Sequence, residues 1–252
     1  MSLKLLYGFH AVGARLRAAP DSVRELLVES SRHDARMQQF LARAQDAGLS
    51  VIAVDSARLD ALAGTHRHQG VVAHVEPLDK MSTLDAVLDA TTDIPLVLGL
   101  DGVTDPHNLG AILRTADAAG VHAVFAPKDR AVGLTPTVAK VASGAADSMQ
   151  YIMVTNMART LAALRERGLW VVGTAGDAAD TLFDAKFAEP TALVLGAEGS
   201  GMRRLVREGC DQLVHIPMQG CVDSLNVSVA AGVCLFEAVR QRCCLAAASG
   251  QL

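Results

Sequence analysis

Beyond Pro95, short runs of apolar residues alternate with longer segments whose apolar residues recur every three or four positions. Short runs are typical of buried strands, and the longer spacing is typical of amphipathic helices. The alternation predicts an α/β domain with a mostly parallel sheet that helices cover on both faces. The predicted strands lie at 96–100, 121–125, 151–154, 170–174, 192–195 and 213–216. The predicted helices lie at 109–119, 136–143, 156–167, 202–208 and 225–242.

The first 76 residues form a separate and smaller pattern. Apolar runs predict strands at 25–29, 49–54 and 71–75, and helical spacing predicts helices after Phe9, over 34–47 and around Leu59. Residues 77–94 have the composition of a connector, because Pro77 breaks the pattern and only a short helix over 84–88 follows. We therefore expect a small α/β domain at 1–76, a linker at 77–94 and a larger domain at 95–252.

Composition removes several functional classes. Aromatic residues make up 4% of the chain, which argues against RNA binding by rows of stacked rings. No apolar run approaches the roughly 18 residues of a membrane span. The first residues lack the features of a signal peptide, so we expect a cytoplasmic protein. All five cysteines lie in the last 43 residues without a CxxC pair, which predicts reduced thiols and neither a metal site nor a disulfide framework.

Charge is distributed unevenly along the chain. The net charge is −4, whereas residues 1–76 carry +1 and five of the eight histidines. A surface for nucleic acid is therefore expected to be a local patch. The candidate cations for contact with RNA phosphates or bases are Arg15 and Arg17 on the first helix, and His66, Arg67 and His68 in the loop 64–70. A solvated loop is the alternative interpretation of 64–70.

Three strand-to-helix junctions of the larger domain carry unusual polar residues. The first, at 100–120, has Asn108 before the predicted helix and Arg114 on its second turn, from which the side chain can reach back over the helix start. A surface arginine on an amphipathic helix is the alternative for Arg114. The second junction, at 193–202, ends a strand in Gly196 and places Glu198 among glycines that permit close backbone approach to a ligand. It lacks both a phosphate-binding Lys-Ser/Thr and the G-x-G-x-x-G order of a dinucleotide fold.

The third junction, at 216–242, joins a polar loop to an apolar helix. Asp223 or Ser224 can serve as the N-cap, which leaves backbone N–H groups directed into the loop. Apolar residues at the i, i+4, i+7, i+8 and i+11 positions predict that one face of the helix is buried. That face consists of Leu225, Val229, Gly232, Val233 and Phe236. Such a junction can hold a small polar ligand, and an ordinary loop is the alternative.

In this order, the three junctions resemble the three motifs of the SpoU/TrmH family of RNA ribose 2′-O-methyltransferases. The resemblance extends through most of residues 95–242, and the segments LDGVTDPHNLG, GAEG and SLNVSVA are specific in combination. Ser200, Cys221 and Asp223 fall at variable positions of the motifs. The residues that carry the match are Asn108, Arg114, Gly196, Glu198, Gly201, Ile216, Pro217, Ser224, Leu225 and Asn226.

The resemblance implies a fold and an activity. The end of the sheet is expected to form a deep trefoil knot, and residues 1–76 a substrate-binding domain similar to ribosomal protein L30e. S-adenosylmethionine is expected to be held mainly by backbone groups at Gly196, Ile216 and Leu225. The implied reaction methylates the ribose 2′-hydroxyl of a guanosine in 23S ribosomal RNA and requires no metal ion. The residues implied in catalysis are Asn108, Arg114, Glu198, Ser224 and Asn226.

The resemblance also implies a homodimer in which Arg114 approaches the methyl donor of the other subunit. The usual scheme for the family makes this arginine the base, but an arginine is practically always protonated in proteins. We therefore expect Arg114 to position the target phosphate and ribose and to polarise the hydroxyl.

Three other functions compete with this expectation. A transfer-RNA 2′-O-methyltransferase would use the same motifs. A non-catalytic RNA-binding protein on the same scaffold would keep the first domain and lose the polar motif residues, which this chain retains. A nucleotide-dependent oxidoreductase would need the G-x-G-x-x-G sequence that is missing here.

Overall fold

The computed structural model describes residues 3–78 and 80–248. Contacts divide the chain into a first unit, Met1–Lys80 with Ser143–Ser148, and a second unit, Met81–Ala142 with Met149–Leu252. Asp79, in the expected linker, and residues 249–252, at the end of the expected larger domain, lie outside the described residues.

The first unit contains a mixed four-stranded sheet with helices on both faces. Its elements are β1 (Lys4–Tyr7), α1 (Phe9–Ala18), β2 (Val23–Glu29), α2 (Ala35–Asp46), β3 (Val51–Val54), α3 (Ser56–Ala63) and β4 (Val71–Val75). The sheet order is β1-β4-β2-β3, with β4 antiparallel to both of its neighbours and β2 parallel to β3. Because side chains alternate along a strand, the sheet has two cores. One holds Val12 of α1 and Met37 of α2, and the other holds Leu59 of α3.

Local sequence accounts for the starts of α2 and α3. Asp34 begins α2 by accepting hydrogen bonds from two backbone N–H groups, and Asp55 caps α3 in the same way through one. The sequence pattern predicts no strand at β1, which is an edge strand of four residues with Leu6 its single buried side chain. Such a strand is too short to show a clear alternation.

The second unit contains a seven-stranded sheet in which all pairings between the described strands are parallel. This confirms the predicted α/β class with a parallel sheet. The strands are β5 (Leu96–Asp101), β6 (Ala123–Pro127), β7 (Tyr151–Val154), β8 (Trp170–Thr174), β9 (Asp180–Thr181), β10 (Thr191–Gly196) and β11 (Gln212–His215), in the order β7-β6-β5-β10-β8-β11-β9. The helices are α4 (Leu84–Ala90), α5 (Pro106–Ala118), α6 (Pro136–Ala142), α8 (Met157–Glu166), α9 (Arg204–Glu208) and α10 (Val227–Ala248), and the short α7 (Ala145–Ser148) groups with the first unit.

Several strand bounds differ from the predicted ones by one or two residues, and the reason is clear at the start of β6. The apolar run at 121–125 predicts a strand that starts at Val121, whereas β6 starts at Ala123. The Val121 backbone N–H instead donates to the carbonyl of Ala116, and Gly120 adopts a φ of 71°. These are features of a glycine-terminated helix end. Val121 therefore belongs to the end of α5 rather than to the strand.

The expected linker 77–94 contains a helix, α4, that packs in the core of the second unit. Its helix α4 buries Leu84, Val87 and Leu88 in the same hydrophobic cluster as Phe125 and Val194 of the second unit. This helix therefore contributes to the core beneath the parallel sheet.

Helix α10 is buried through a different face from the predicted one. Val229 and Phe236 of the predicted face are each 51% exposed. The buried residues follow the same spacing two positions later and are Val227, Ala231, Cys234, Leu235 and Ala238. The helix is apolar on both faces, so periodicity alone could not say which face meets the core. None of the helices in the described part of the chain combines the length and the apolar character needed to cross a membrane.

Candidate functional site

The ends of three adjacent strands of the second unit surround a cavity. Strands β8, β10 and β11 are neighbours in the sheet and end at Thr174, Gly196 and His215. The cavity between the loops that follow them has a volume of ≈ 390 Å³. In open parallel sheets, the carboxyl ends of strands are the usual position of ligand sites. Five of the eight residues expected to bind the donor or to act in catalysis line this cavity, namely Gly196, Glu198, Ile216, Ser224 and Leu225.

The backbone that faces Gly196 leaves no room for a side chain at this position. A Cβ atom at this position would lie 2.2 Å from the carbonyl carbon of Gly201 and 2.3 Å from the backbone nitrogen of Met202. The loop folds back on the strand end because Ala197 and Gly201 exchange two backbone hydrogen bonds of 3.1 and 2.9 Å. The sequence suggested a glycine that lets a ligand approach the backbone. The close approach at Gly196 is instead made by the chain's own loop, which forms one wall of the cavity.

Glu198 connects the three junctions at the edge of the cavity. Its Oε1 accepts hydrogen bonds from Asn226 Nδ2 at 2.6 Å, Asn108 Nδ2 at 3.1 Å and the Val227 backbone N–H at 3.1 Å. Asn226 Nδ2 also donates to Asn108 Oδ1 at 3.0 Å. The carboxylate thus lies at the start of α10, where a negative charge is favourable. Three residues that the sequence singles out separately meet in one hydrogen-bonded cluster.

The start of α10 corrects the predicted cap. Ser224 and Asp223 were the expected N-cap residues, but the helix begins at Val227. Asn226 takes the capping role, since its Oδ1 accepts from the Ser228 backbone N–H at 2.9 Å. Ser224 and Asp223 are both exposed and line the cavity.

Arg114 lies apart from this cluster. It is exposed on α5, a turn and a half beyond Asn108, and it does not line the cavity. Within residues 3–78 and 80–248 its side chain has neither a hydrogen-bond partner nor an ion-pair partner. The described chain therefore brings Asn108, Glu198 and Asn226 together and leaves Arg114 with its full hydrogen-bonding capacity.

Two features of the site lie outside the residues singled out from sequence. The segment from Thr174 to Gly176 lines the cavity at the end of β8, a strand end that carries no charged residue before Asp177. Asp101, at the end of β5, is buried and accepts from the Arg203 backbone N–H at 2.8 Å and from Arg203 Nε at 2.7 Å. This pair ties the first junction to the segment after the second. The sequence feature that could have identified Asp101 is its position, as an acidic residue directly after a predicted buried strand.

Two of the five candidate RNA contacts in the first unit are buried. Arg15 is 4% exposed and donates to the carbonyl of Glu76 at 2.8 Å and to Ser22 Oγ at 3.2 Å, and burial lowers the pKa of its guanidinium. His68 is 3% exposed, with Nε2 2.9 Å from Asp60 Oδ1 and Nδ1 accepting from the Gly70 backbone N–H at 3.0 Å. Both side chains are buried and hydrogen-bonded inside the unit, so they do not form part of its exposed surface as the sequence prediction assumed. The exposed candidates are Arg17, His66 and Arg67.

The thiols and acids of the described residues form no recognisable metal site. All five cysteines are free thiols, and burial raises the pKa of Cys234 to about 12. Among the described residues there is no group of three or more His, Cys, Asp or Glu side chains that could hold a metal ion.

Two protein-family models match this chain, one over each of its two parts. The family model described as "SpoU rRNA Methylase family" matches residues 95–236, and the one described as "RNA 2'-O ribose methyltransferase substrate binding" matches residues 5–81. Proteins named 23S rRNA (guanosine-2'-O-)-methyltransferase RlmB are similar over almost their whole length. The one from Ralstonia nicotianae is 63% identical over 95% of this chain and 96% of its own. The one from Bordetella pertussis is 59% identical over 96% and 98%.

Solved structures are similar across both units of the chain. A crystal structure of an RNA 2'-O ribose methyltransferase covers 96% of this chain and 90% of its own, with a TM-score of 0.70 and 29% identity. The SpoU methyltransferase AviRb from Streptomyces viridochromogenes, in complex with the cofactor AdoMet, covers 96% and 92%, with a TM-score of 0.68 and 28% identity.

Proposed function

The chain belongs to the SpoU rRNA methylase family, and we propose that it methylates the ribose 2′-hydroxyl of a guanosine in 23S ribosomal RNA, with S-adenosylmethionine as the methyl donor. The observation that carries the proposal is the 63% identity to the R. nicotianae methyltransferase over 95% of the chain. That match includes the first unit, so the substrate class is supported by both units. With ribosomal RNA as the proposed substrate, we propose that the protein acts in the cytoplasm.

The proposed donor site is the cavity at the strand ends. Its volume falls within the roughly 300–1,000 Å³ that small-molecule sites occupy. Gly196, Ile216 and Leu225, whose backbone groups we expect to hold the donor, all line this cavity, and the side chains of Ile216 and Leu225 are apolar. This combination suits a nucleoside joined to an amino-acid chain, so the residues present fit the donor. When bound, the donor supplies an electrophilic methyl group on a sulfonium.

The proposed catalytic residues act mainly by orientation. Glu198 fixes the amide groups of Asn108 and Asn226 through its shared oxygen, and Ser224 lines the cavity. Methyl transfer to a hydroxyl needs alignment and the removal of one weakly acidic proton. Arg114 holds the phosphate next to the target ribose and polarises the 2′-hydroxyl, whose proton passes to phosphate or water.

The order of the strands supports the expected trefoil knot. Strand β10 lies between β5 and β8, and β11 lies beyond β8, so the chain returns twice to positions inside or next to strands already laid down. The loop after β10 then approaches the start of α10 through Glu198. We expect the segment after β11 to thread through the loop after β10, although chain connections are normally unknotted. The first unit is proposed to be the L30e-like substrate-binding domain, with Arg17, His66 and Arg67 as RNA contacts.

A homodimer would complete the site. The exposed face of α10 contains Val229, Val233 and Phe236, which are 51%, 38% and 51% exposed. Apolar residues grouped on one helix face are typical of an interaction surface. Arg114 lacks a partner within the described residues of its own chain. A two-fold interface through α10, which also contacts α5, would carry Arg114 of each subunit towards the cavity of the other.

Labelled S-adenosylmethionine, incubated with the protein and separately with total 23S RNA and total transfer RNA, tests the proposed substrate. The expected result is label in the 23S RNA, and Asn226→Ala should remove it. Label confined to transfer RNA would contradict the substrate. Absence of label in every RNA, with donor binding intact by calorimetry, would instead indicate a non-catalytic RNA-binding protein.

A further inference from the structure

The two helices on one face of the first unit are strongly biased towards positive charge. Helix α1 contains no acidic residue, and α2 contains one, Asp46, at its last position. Together they contain four arginines, of which Arg15 is the buried one. The whole chain has a net charge of −4, so this face differs from the average surface. A local positive field of this kind attracts polyanions.

Phe9 is the centre of this face. The ring is 6% exposed and is held edge-to-face against Phe40, with the two ring centroids 5.5 Å apart. The guanidinium carbon of Arg32 lies 4.9 Å from the Phe9 centroid and that of Arg36 lies 4.6 Å from it. Contact with an aromatic ring holds a guanidinium in place while its N–H groups remain available at the edge. Two arginines are thus pre-positioned by one buried ring.

The charge of Arg36 is not neutralised within the described residues. Its Nη2 lies 3.1 Å from His10 Nε2, and no carboxylate pairs with it in the described ranges 3–78 and 80–248. Because a guanidinium only donates, His10 accepts this bond through Nε2. Two carboxylates border the face. Asp34 pairs with Arg32 and caps α2, and Glu29 accepts from Ser31 Oγ at 3.2 Å.

Arg17 extends the charged face along α1. His10, Gly13 and Arg17 occupy positions i, i+3 and i+7, so they share one side of the helix. A Cβ atom at Gly13 would lie 3.8 Å from Arg17 Nη1, which places the guanidinium over the glycine. Arg17 is exposed and has no partner among the described residues. At the other end, Arg32 Nη1 donates to the carbonyl of Gln69, which belongs to the same loop 64–70 as His66 and Arg67.

We infer that this set of residues, the Phe9 patch (Phe9, His10, Arg17, Arg32 and Arg36), binds the phosphodiester backbone of the RNA substrate. The inference rests on the proposed function and adds the surface that holds the RNA. Guanidinium forks match phosphate oxygens in geometry and charge. The buried Phe9 ring has no exposed face on which a base could stack, so the contact is with phosphates rather than with bases. The whole patch lies within the residues that match the substrate-binding family model.

The salt dependence of RNA binding tests this inference directly. Each cation that neutralises a phosphate contributes about 0.7–0.9 to the slope of log K against log salt. Arg36→Ala and Arg17→Ala in the full chain should therefore each lower the slope for an unmodified 23S transcript by about 0.7–0.9 and weaken binding about 5- to 8-fold at 0.1 M salt. Arg36→Lys keeps the charge and should keep the slope, which separates a phosphate contact from a role in folding.

Arg58→Ala is the matched control. Arg58 is an exposed arginine of the same unit, but it lies on α3, which packs on the opposite face of the sheet. Its removal should leave the slope unchanged. Wild-type slopes for both Arg36→Ala and Arg17→Ala, or an equal loss for Arg58→Ala, would overturn the inference.

The methylation assay separates this inference from the proposed function. If the 23S transcript is methylated but the Phe9 patch variants keep the wild-type slope, the patch is wrong and the function stands. If the slopes fall as expected but the transcript is not methylated, the patch stands and the proposed reaction is wrong.

Discussion

Replacement of Gly196 by alanine is the substitution whose effect the structure specifies most closely. The added Cβ would lie 2.2 Å from the Gly201 carbonyl carbon, whereas ordinary van der Waals contact begins at 3.4 Å. The facing backbone would have to retreat by about 1.2 Å to restore an ordinary contact. Backbone atoms cannot rotate away as a side chain does, so the loop that forms the cavity wall must move.

The cost of this movement can be estimated from the bonds that hold the loop. The two hydrogen bonds between Ala197 and Gly201 contribute about 1 kcal/mol each, and overpacking adds about 1 kcal/mol. The free energy of unfolding of the second unit should fall by about 2–3 kcal/mol, which corresponds to a loss of about 4–12 °C in Tm for a unit of this size. Movement of the loop should also remove a contact to S-adenosylmethionine. Loss of one such contact worth about 1.4 kcal/mol raises the Kd for S-adenosylmethionine about tenfold.

Calorimetry for S-adenosylmethionine and a thermal unfolding curve measure both effects on one sample. Gly133→Ala is the control, because a Cβ there meets no atom within 4 Å and Gly133 does not line the cavity. The control should match the wild type in both measurements. A Gly196→Ala protein with wild-type donor affinity and wild-type Tm would refute the assignment of this loop to the donor site.

Three further predictions concern the site and the interface. Arg203→Ala leaves the buried carboxylate of Asp101 with one hydrogen-bond donor, the backbone N–H of residue 203. The free energy of unfolding, measured by denaturant titration, should therefore fall by about 2–3 kcal/mol. An unchanged denaturation midpoint would contradict this prediction. Phe236→Glu should convert the proposed dimer to a monomer in sedimentation without unfolding it, since the side chain is exposed in the single chain. Arg114→Ala and Asn226→Ala should each be inactive, and their mixture should regain about a quarter of wild-type activity, because about half of the exchanged dimers have one complete site. A mixture that stays inactive after verified exchange would place both residues in one chain's site.

The sequence predicted the fold class because the central strands β5, β6 and β10 are buried on both sides and read as continuous apolar runs. Strands β7 and β8 were predicted with the bounds that the structure has. The two-residue β9 is polar and carries no hydrophobic signal. The face of α10 was assigned wrongly, because apolar residues fill both sides and only tertiary contacts decide which side is buried.

For the polar residues, too, some features could be predicted from the sequence and others could not. Composition indicated cations in the first unit, but charge alone could not show that Arg15 and His68 are enclosed by Glu76, Ser22, Asp60 and Gly70. The three motif junctions were recognisable from sequence. The sharing of one Glu198 oxygen between Asn108 and Asn226 was not, because it depends on how loops 28 and 90 residues away return to the same strand end.

The central claim is a methyl group on a guanosine ribose of 23S ribosomal RNA. The most direct measurement is mass spectrometry of nucleosides from an unmodified 23S transcript that has been incubated with the protein and S-adenosylmethionine. Asn226→Ala, incubated in parallel, is the control. The account predicts 2′-O-methylguanosine in the wild-type reaction and none in the control. Methylation on a base, on a nucleoside other than guanosine, or at equal levels in both reactions would contradict it.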